Sequence, residues 1–191
     1  ARLTEAYIDS VLENFGAGDV ALVQNEVSNV PYIIRQAKAR GLKVAFNASP
    51  ITASILSYPL ELVDYYLVNE TEGRTLSGCD ATDYETILAA LHEKFPAAAI
   101  VLTVGSDGVL YQCGDERYSH GIYRVQAVDT TGAGDTFCGF FLASLAKGLS
   151  VPQALENASL ASALAVSRAG ACDSIPTWAE MEAFAKTAQA K

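Results

Sequence analysis

The stretch Asp129-Thr130-Thr131-Gly132-Ala133-Gly134-Asp135-Thr136-Phe137 sets two carboxylates and three hydroxyls around a run of three small residues. It falls between an apolar run and a helical pattern. Small residues at such a junction let backbone N–H groups approach a ligand at a helix start, where negative charge is favoured. Gly132, Ala133 and Gly134 can therefore form an anion cradle. Phosphoryl transfer needs negative charge stabilised on the transferring group and a carboxylate that takes the proton from the attacking hydroxyl. Asp135, one step past the cradle, suits the second task. Gly-Ala-Gly alone equally describes a close strand-to-helix turn, with Asp135 as cap or first-turn dipole partner. The threonines and the second aspartate make the whole string more specific.

Other segments carry weaker signals. Asn69-Glu70-Thr71-Glu72 comes after an apolar run; glutamate at a helix start is ordinarily a partner for the helix dipole, but it can also meet magnesium through water. Thr103-Val104-Gly105-Ser106-Asp107-Gly108 closes a strongly apolar run and suits either a tight hairpin turn or a nucleotide-binding turn. Gln24-Asn25-Glu26 puts an acidic residue just after a short apolar run. His92 and His120 lack the spacing of a metal site or a triad, and Cys138 has the character of a small core residue.

The 129–137 string resembles the C-terminal signature of the ribokinase-like (PfkB) family of carbohydrate and nucleoside kinases. The Asn69–Glu72 and Thr103–Gly108 segments resemble that family's Asn-x-x-Glu motif and nucleotide turn, in the expected order. Val125-Gln126-Ala127-Val128-Asp129-Thr130, Ala165-Val166-Ser167-Arg168-Ala169-Gly170 and Ser174-Ile175-Pro176 are most similar to its ribokinase branch.

The resemblance implies an α/β fold, a three-layer αβα sandwich with a mostly parallel sheet. It also implies ATP-dependent phosphorylation of a sugar hydroxymethyl group, with ribose ahead of fructose, another ketose or a nucleoside. Asp135 would be the general base, with Gly132, Ala133 and Gly134 as the anion hole. Asn69, Thr103, Val104, Gly105, Ser106, Asp107, Gly108 and Gly134 would contact ATP, and Ser159 would pack against its base. Glu26 would contact the sugar and Glu72 would act on Mg2+ through water. Potassium would be held by Asp129, Thr131, Ala165, Arg168, Gly170 and Ser174, mostly through backbone carbonyls, which suit a hard cation.

The family's N-terminal half, with its first strands, lid and most sugar-binding residues, has no counterpart here. The expectation is a C-terminal nucleotide-binding and catalytic part, 1–191, of a longer protein, because an open sheet edge would otherwise leave unpaired strands and an apolar face. The family also implies a homodimer through lid strands. A non-catalytic nucleotide-binding or interaction module is the alternative, although such a module gains little from keeping Asp135. A dinucleotide-dependent oxidoreductase would need Gly-x-Gly-x-x-Gly after the first strand, an arrangement this sequence lacks.

The elements that must position these groups can be read from periodicity. Tyr7, Ile8, Val11, Leu12 and Phe15 recur at helical spacing, and Val30–Arg40 is amphipathic up to Gly41. Short apolar runs predict strands over 20–24, 43–47, 64–69 and 98–104, with an antiparallel pair over 108–112 and 117–125. Helices are expected over 70–76 and 83–95, then from Gly132 to about Ala146, from Val151 to about Arg168, and from Thr177 to the end. Strand–helix alternation of this kind predicts a largely parallel, mixed sheet.

A chain of 191 residues, half hydrophobic and 18% charged, can bury one substantial core. The net charge of −9 leaves no general basic surface for a nucleic acid. Four scattered cysteines fit free thiols in a reducing cytosol. No apolar run reaches membrane-spanning length and the opening residues lack signal-peptide form, so a cytoplasmic protein is expected; the resemblance adds a small-molecule sugar as its partner.

Overall fold

The computed structural model describes residues 2–188. They fall into two compact units: the chain through Leu102 with Tyr111–Arg117, and Thr103–Leu110 with the chain from Tyr118.

The first unit begins with α1 (Glu5–Leu12), β1 (Val20–Gln24), α2 (Val30–Ala39) and β2 (Lys43–Asn47). Next come β3 (Tyr65–Asn69), α3 (Glu70–Ser77), α4 (Tyr84–Lys94) and β4 (Ala99–Thr103), the last ending at the boundary with the second unit. The strands β5 (Val109–Cys113) and β6 (Glu116–His120) complete a six-stranded sheet in which the strands keep chain order. β1, β2 and β3 are parallel, with Val20 opposite Lys43 and Ala45 opposite Tyr65. The Ala99 N–H donates to the Asp64 carbonyl at the starting ends of β3 and β4, as a parallel pair joined by a helical crossover requires. A two-residue link cannot join parallel strands, so β5 and β6 are antiparallel and the sheet is mixed but mostly parallel.

Four of the five β2 positions and the first four of β4 are buried. Such unbroken apolar runs suit strands covered on both faces. Ile34 and Ala37 of α2 and Leu88 and Leu91 of α4 are fully buried. Asp83 caps α4 by accepting from the Thr86 N–H at 2.8 Å. β1 is the edge strand, and its Val20 and Leu22 are exposed, as are Tyr7, Val11 and Phe15 on and beside α1.

Asp64 pins the start of β3. Its carboxylate accepts from Lys38 Nζ at 2.8 Å, Lys43 Nζ at 3.1 Å and the Val44 N–H at 2.7 Å. Burial pushes this carboxyl up, but the bonds from Lys38, Val44 and Lys43 outweigh that and hold it below the usual aspartate range.

The second unit carries α5 (Ala133–Ala146), α6 (Val151–Val166) and α7 (Trp178–Ala185). α5 and α6 form a helical hairpin. Ala154, Ala158, Ala161 and Ala165 of α6 are buried, and their small side chains allow close approach to the aromatic face of α5, where Phe137 stacks on Phe141. Trp178 of α7 stacks on Phe140 of α5 with centroids 5.5 Å apart, and Lys147 Nζ lies 4.9 Å above the indole.

The strand expected over 117–125 stops at His120. Beyond it Tyr123 is buried, its hydroxyl 3.4 Å from His120 Nε2 and its ring edge-on to Phe184, so packing within the second unit replaces strand alternation. The helix expected to reach Arg168 ends at Val166, and the one expected to run from Thr177 to the end stops at Ala185. The last three residues of that expectation lie outside the described residues. Short 3-10 turns at Ala53–Ser57, Leu60–Leu62, Gly105–Asp107 and Cys172–Ser174 were not anticipated. No described helix is long and apolar enough to cross a membrane, and all four cysteines are free.

Asp64→Asn should lower unfolding free energy by about 1.5–3 kcal/mol at neutral pH, the range for hydrogen bonds to a charged group. A depressed carboxyl contributes fully above its unfolded pKa of about 3.9 and loses that contribution as pH falls through the folded value. Urea titrations should therefore show the gap between the two proteins closing in acid; a gap constant down to about pH 2 would contradict the role given to Asp64.

Glycine at 108 is required twice over: φ is +101°, and a Cβ would meet the His120 carbonyl oxygen. Gly78, at φ +76°, has open space around it. Gly78→Ala should cost about 1–2 kcal/mol, the left-handed penalty alone. Gly108→Ala should cost clearly more, and equal denaturation midpoints for the two variants would refute the clash.

Candidate active site

α5 starts without a side-chain cap. Asn69, Asp83 and Thr177 cap α3, α4 and α7 through their side chains, whereas the N-cap of α5 is Gly132, left-handed at φ 76°. A helix of fourteen residues thus presents the positive end of its dipole beside a glycine, with the Ala133 N–H donating to the Thr130 carbonyl at 3.2 Å. Asp135 is the third residue of this helix and is exposed. Thr136, next to it, is buried, and its Oγ1 has no partner among the described residues.

One carboxylate shapes the loop ahead of the helix. Asp129 Oδ1 accepts from the Thr131 N–H at 2.9 Å and its hydroxyl at 2.7 Å, while Oδ2 accepts from the Gly170 N–H at 3.2 Å. The Thr131 hydroxyl and N–H, with the Gly170 N–H, hold this carboxyl below the usual range. The N–H groups of Val128 and Asp129 both donate to the Val166 carbonyl. A Cβ on Gly132 would lie 3.6 Å from the Ala171 oxygen, so the loops around 129–132 and 166–171 touch. The Ser162 hydroxyl of α6 also donates to the Ala133 carbonyl at 3.2 Å.

Arg168 lies just past α6, and its guanidinium turns away from these loops to Glu180 Oε1 at 2.8 Å. Glu180 Oε2 accepts from the Thr177 N–H at 2.7 Å and its hydroxyl at 2.8 Å, closing the α7 cap. Those Thr177 bonds, with Arg168 after them, hold the Glu180 carboxyl at about 2. Ser174 is fully buried and donates its hydroxyl to the Ala171 carbonyl.

The turn after β4 is closed by the Val104 N–H to the Gly108 carbonyl at 2.9 Å. Gly105, Ser106 and Asp107 are exposed, whereas Val104 is buried and can offer a ligand only its backbone. Ser159, on α6, is also buried.

In the first unit, Asn69 and Glu72 form a reciprocal capping box: Asn69 Oδ1 accepts from the Glu72 N–H, and Glu72 Oε2 accepts from the Asn69 N–H, both at 2.9 Å. Glu72 is 6% exposed, and burial pushes its carboxyl above the usual glutamate range against the bonds from Asn69 and Ser49. Glu26 is exposed after β1. Its neighbour Asn25 donates to the Pro50 carbonyl at 2.8 Å, accepts from the Tyr58 hydroxyl at 2.9 Å, and gives its N–H to the Ser49 carbonyl. The Ser49–Pro50 bond is cis. Ser49 thus links the loop after β1 to Glu72 in the first turn of α3, which puts Glu26, Asn69 and Glu72 just past the carboxyl ends of β1 and β3, the two parallel strands that flank β2, where α/β sheets bind ligands. Ser49, Asn25 and Tyr58 were not singled out from the sequence; the X-Pro pair signals a turn but not its partners.

The family model described as pfkB family carbohydrate kinase matches residues 13–178. Ribokinase from Haemophilus influenzae is 35% identical over 191 residues, an alignment covering 96% of this chain and 61% of that protein. The structure of Arabidopsis thaliana ribokinase complexed with ribose and ATP superposes with a TM-score of 0.84 at 26% identity, over 96% of this chain and 60% of that one. An E. coli structure in complex with ATP and Mg2+ gives a TM-score of 0.82 at 25% identity, over 97% and 63%. The chain spans about three-fifths of the length of these relatives. An uncapped glycine start to α5 with Asp135 in its first turn, on this fold and under this family match, places the chain in the pfkB family of carbohydrate kinases.

Proposed function

We propose that the chain is the ATP-binding and catalytic part of a kinase that phosphorylates a sugar hydroxymethyl group, with ribose as first choice and fructose, another ketose or a nucleoside behind it. The observation that carries this is the start of α5, where exposed Asp135 sits in the first turn of a helix that no side chain caps. An anion at that end meets the positive end of the helix dipole with no side-chain cap to displace. Asp135 takes the proton from the attacking hydroxyl as its oxygen bonds to the γ-phosphorus and ADP leaves. The 132–134 turn holds the charge on the transferring group, with the Ala133 N–H moving to it from the Thr130 carbonyl. Relatives whose structures hold ribose and ATP, or ATP and Mg2+, support the choice of ligands.

In this reading Asn69, Gly134 and the Thr103–Gly108 turn contact ATP, with Val104 acting through its backbone and Ser159 packing from α6. Glu26, exposed after β1, contacts the sugar. Among the described residues no group of three or more His, Cys, Asp or Glu is arranged to hold a metal. A lone buried Glu72 fits Mg2+ carried mainly by phosphates and water, because Mg2+ keeps several waters and needs few protein carboxylates. The backbone carbonyls of Asp129, Thr131, Arg168, Gly170 and Ser174 are the oxygens this reading uses, with that of Ala165, which accepts from the Arg168 N–H. Oxygen donors of this kind, beside an anionic Asp129, fit a potassium ion, which would fix the loop that leads into α5.

The three-fifths coverage favours keeping one alternative, a nucleotide-binding module without turnover. Coupled ADP release over ribose, fructose and nucleosides separates the two: sugar-dependent release supports the kinase, and ATP binding without release under every condition supports the module. In an active preparation, Asp135→Asn should leave ATP affinity nearly intact and lower kcat by at least about 10²-fold, the usual contribution of a general base. Unchanged turnover would remove Asp135 from the reaction.

A further inference from the structure

We infer that the Arg168–Glu180 ion pair is a positioning link that couples occupancy of the 165–174 loop by a monovalent cation to α7, an inference that rests on the cation reading of that loop. Arg168 serves two structures at once. Its backbone lies in the loop, whose neighbour Gly170 holds Asp129. Its side chain reaches twelve residues on to Glu180 Oε1. The other Glu180 oxygen closes the α7 cap on Thr177.

The residue after that cap is Trp178, stacked at 10° on Phe140 of α5, the helix whose first turn carries Asp135. A continuous line of contacts thus runs from the loop through Arg168, Glu180, Thr177 and Trp178 to α5. A cation drawing on the Arg168 carbonyl must hold that residue still. With the guanidinium already pinned, less conformational freedom is lost on binding than for an untethered loop. The pair is partly exposed, with side chains 32% and 44% accessible, so removing it should barely change global stability. A positioning role and a structural role therefore predict different outcomes.

Trp178 is the sole tryptophan and reports on α7 directly. The test titrates KCl against tetramethylammonium chloride at constant ionic strength, monitoring tryptophan fluorescence and melting temperature in the wild type, Arg168→Ala and Arg168→Lys. The wild type should show a saturable potassium response. In Arg168→Ala the half-saturating concentration should rise about two- to tenfold at nearly unchanged melting temperature in tetramethylammonium, and Arg168→Lys should restore much of the loss. Equal half-saturation in the wild type and Arg168→Ala would overturn the link. So would potassium that raises the melting temperature without touching the fluorescence, although the cation reading would then stand. No saturable response by either readout would overturn the cation reading and the link together.

Discussion

The carboxylate of Asp129 is the constraint on which the second unit's loops depend. Three bonds to one side chain, two from Thr131 and one from Gly170, join segments 41 residues apart and fix the path of the chain into α5. A loop rich in glycine and threonine has many conformations open to it, and ordering it costs entropy that local contacts alone do not offset. A single anion accepting several N–H and O–H donors supplies charge-assisted bonds at the point of greatest freedom. With the loop held in this way, Gly132 takes its left-handed conformation and the Ala133 N–H donates back to the Thr130 carbonyl, so no side chain covers the start of α5.

The first unit solves a similar problem differently. The Asn69–Glu72 capping box, the Ser49 contact to Glu72 and the Asn25 bonds to the cis-proline loop gather the carboxyl ends of β1, β2 and β3. Glu72 remains buried at a cost, as its raised carboxyl shows. Burial that disfavours the ionised form of an acid is common at functional sites, where a nearby cation would offset it. Helix starts are treated in two ways, and the second unit holds both. α3, α4 and α7 are closed by their own side chains, and α5 is left open.

Most of the exposed large apolar side chains of the first unit lie on edge strand β1 and on and beside α1. Val20 and Leu22 on edge strand β1, and Tyr7, Val11 and Phe15 on and beside α1, are hydrophobic side chains without cover. The family relatives are longer, and this chain spans about three-fifths of them. Edge strands with apolar side chains are ordinarily paired or covered.

The sequence by itself determined most of the regular elements and pointed to the 129–135 string as the candidate site. β1 and β2 fall where the apolar runs predicted, and α2, α3 and α4 lie within a residue or so of expectation, because period and cap residues are local signals. The 129–135 string was recognisable for the same reason, since its chemistry is contiguous. Tertiary structure decided what depends on residues far apart. It turned Tyr123 into the second unit's packing and ended β6 at His120, buried Val104 so that only its backbone remains, and sent the Arg168 guanidinium to Glu180. It also paired Ser49 with Glu72 and Asp129 with Gly170. None of these leaves a periodic trace, because side-chain partners separated by tens of residues are chosen by packing and by the need to satisfy buried polar groups once the chain has folded.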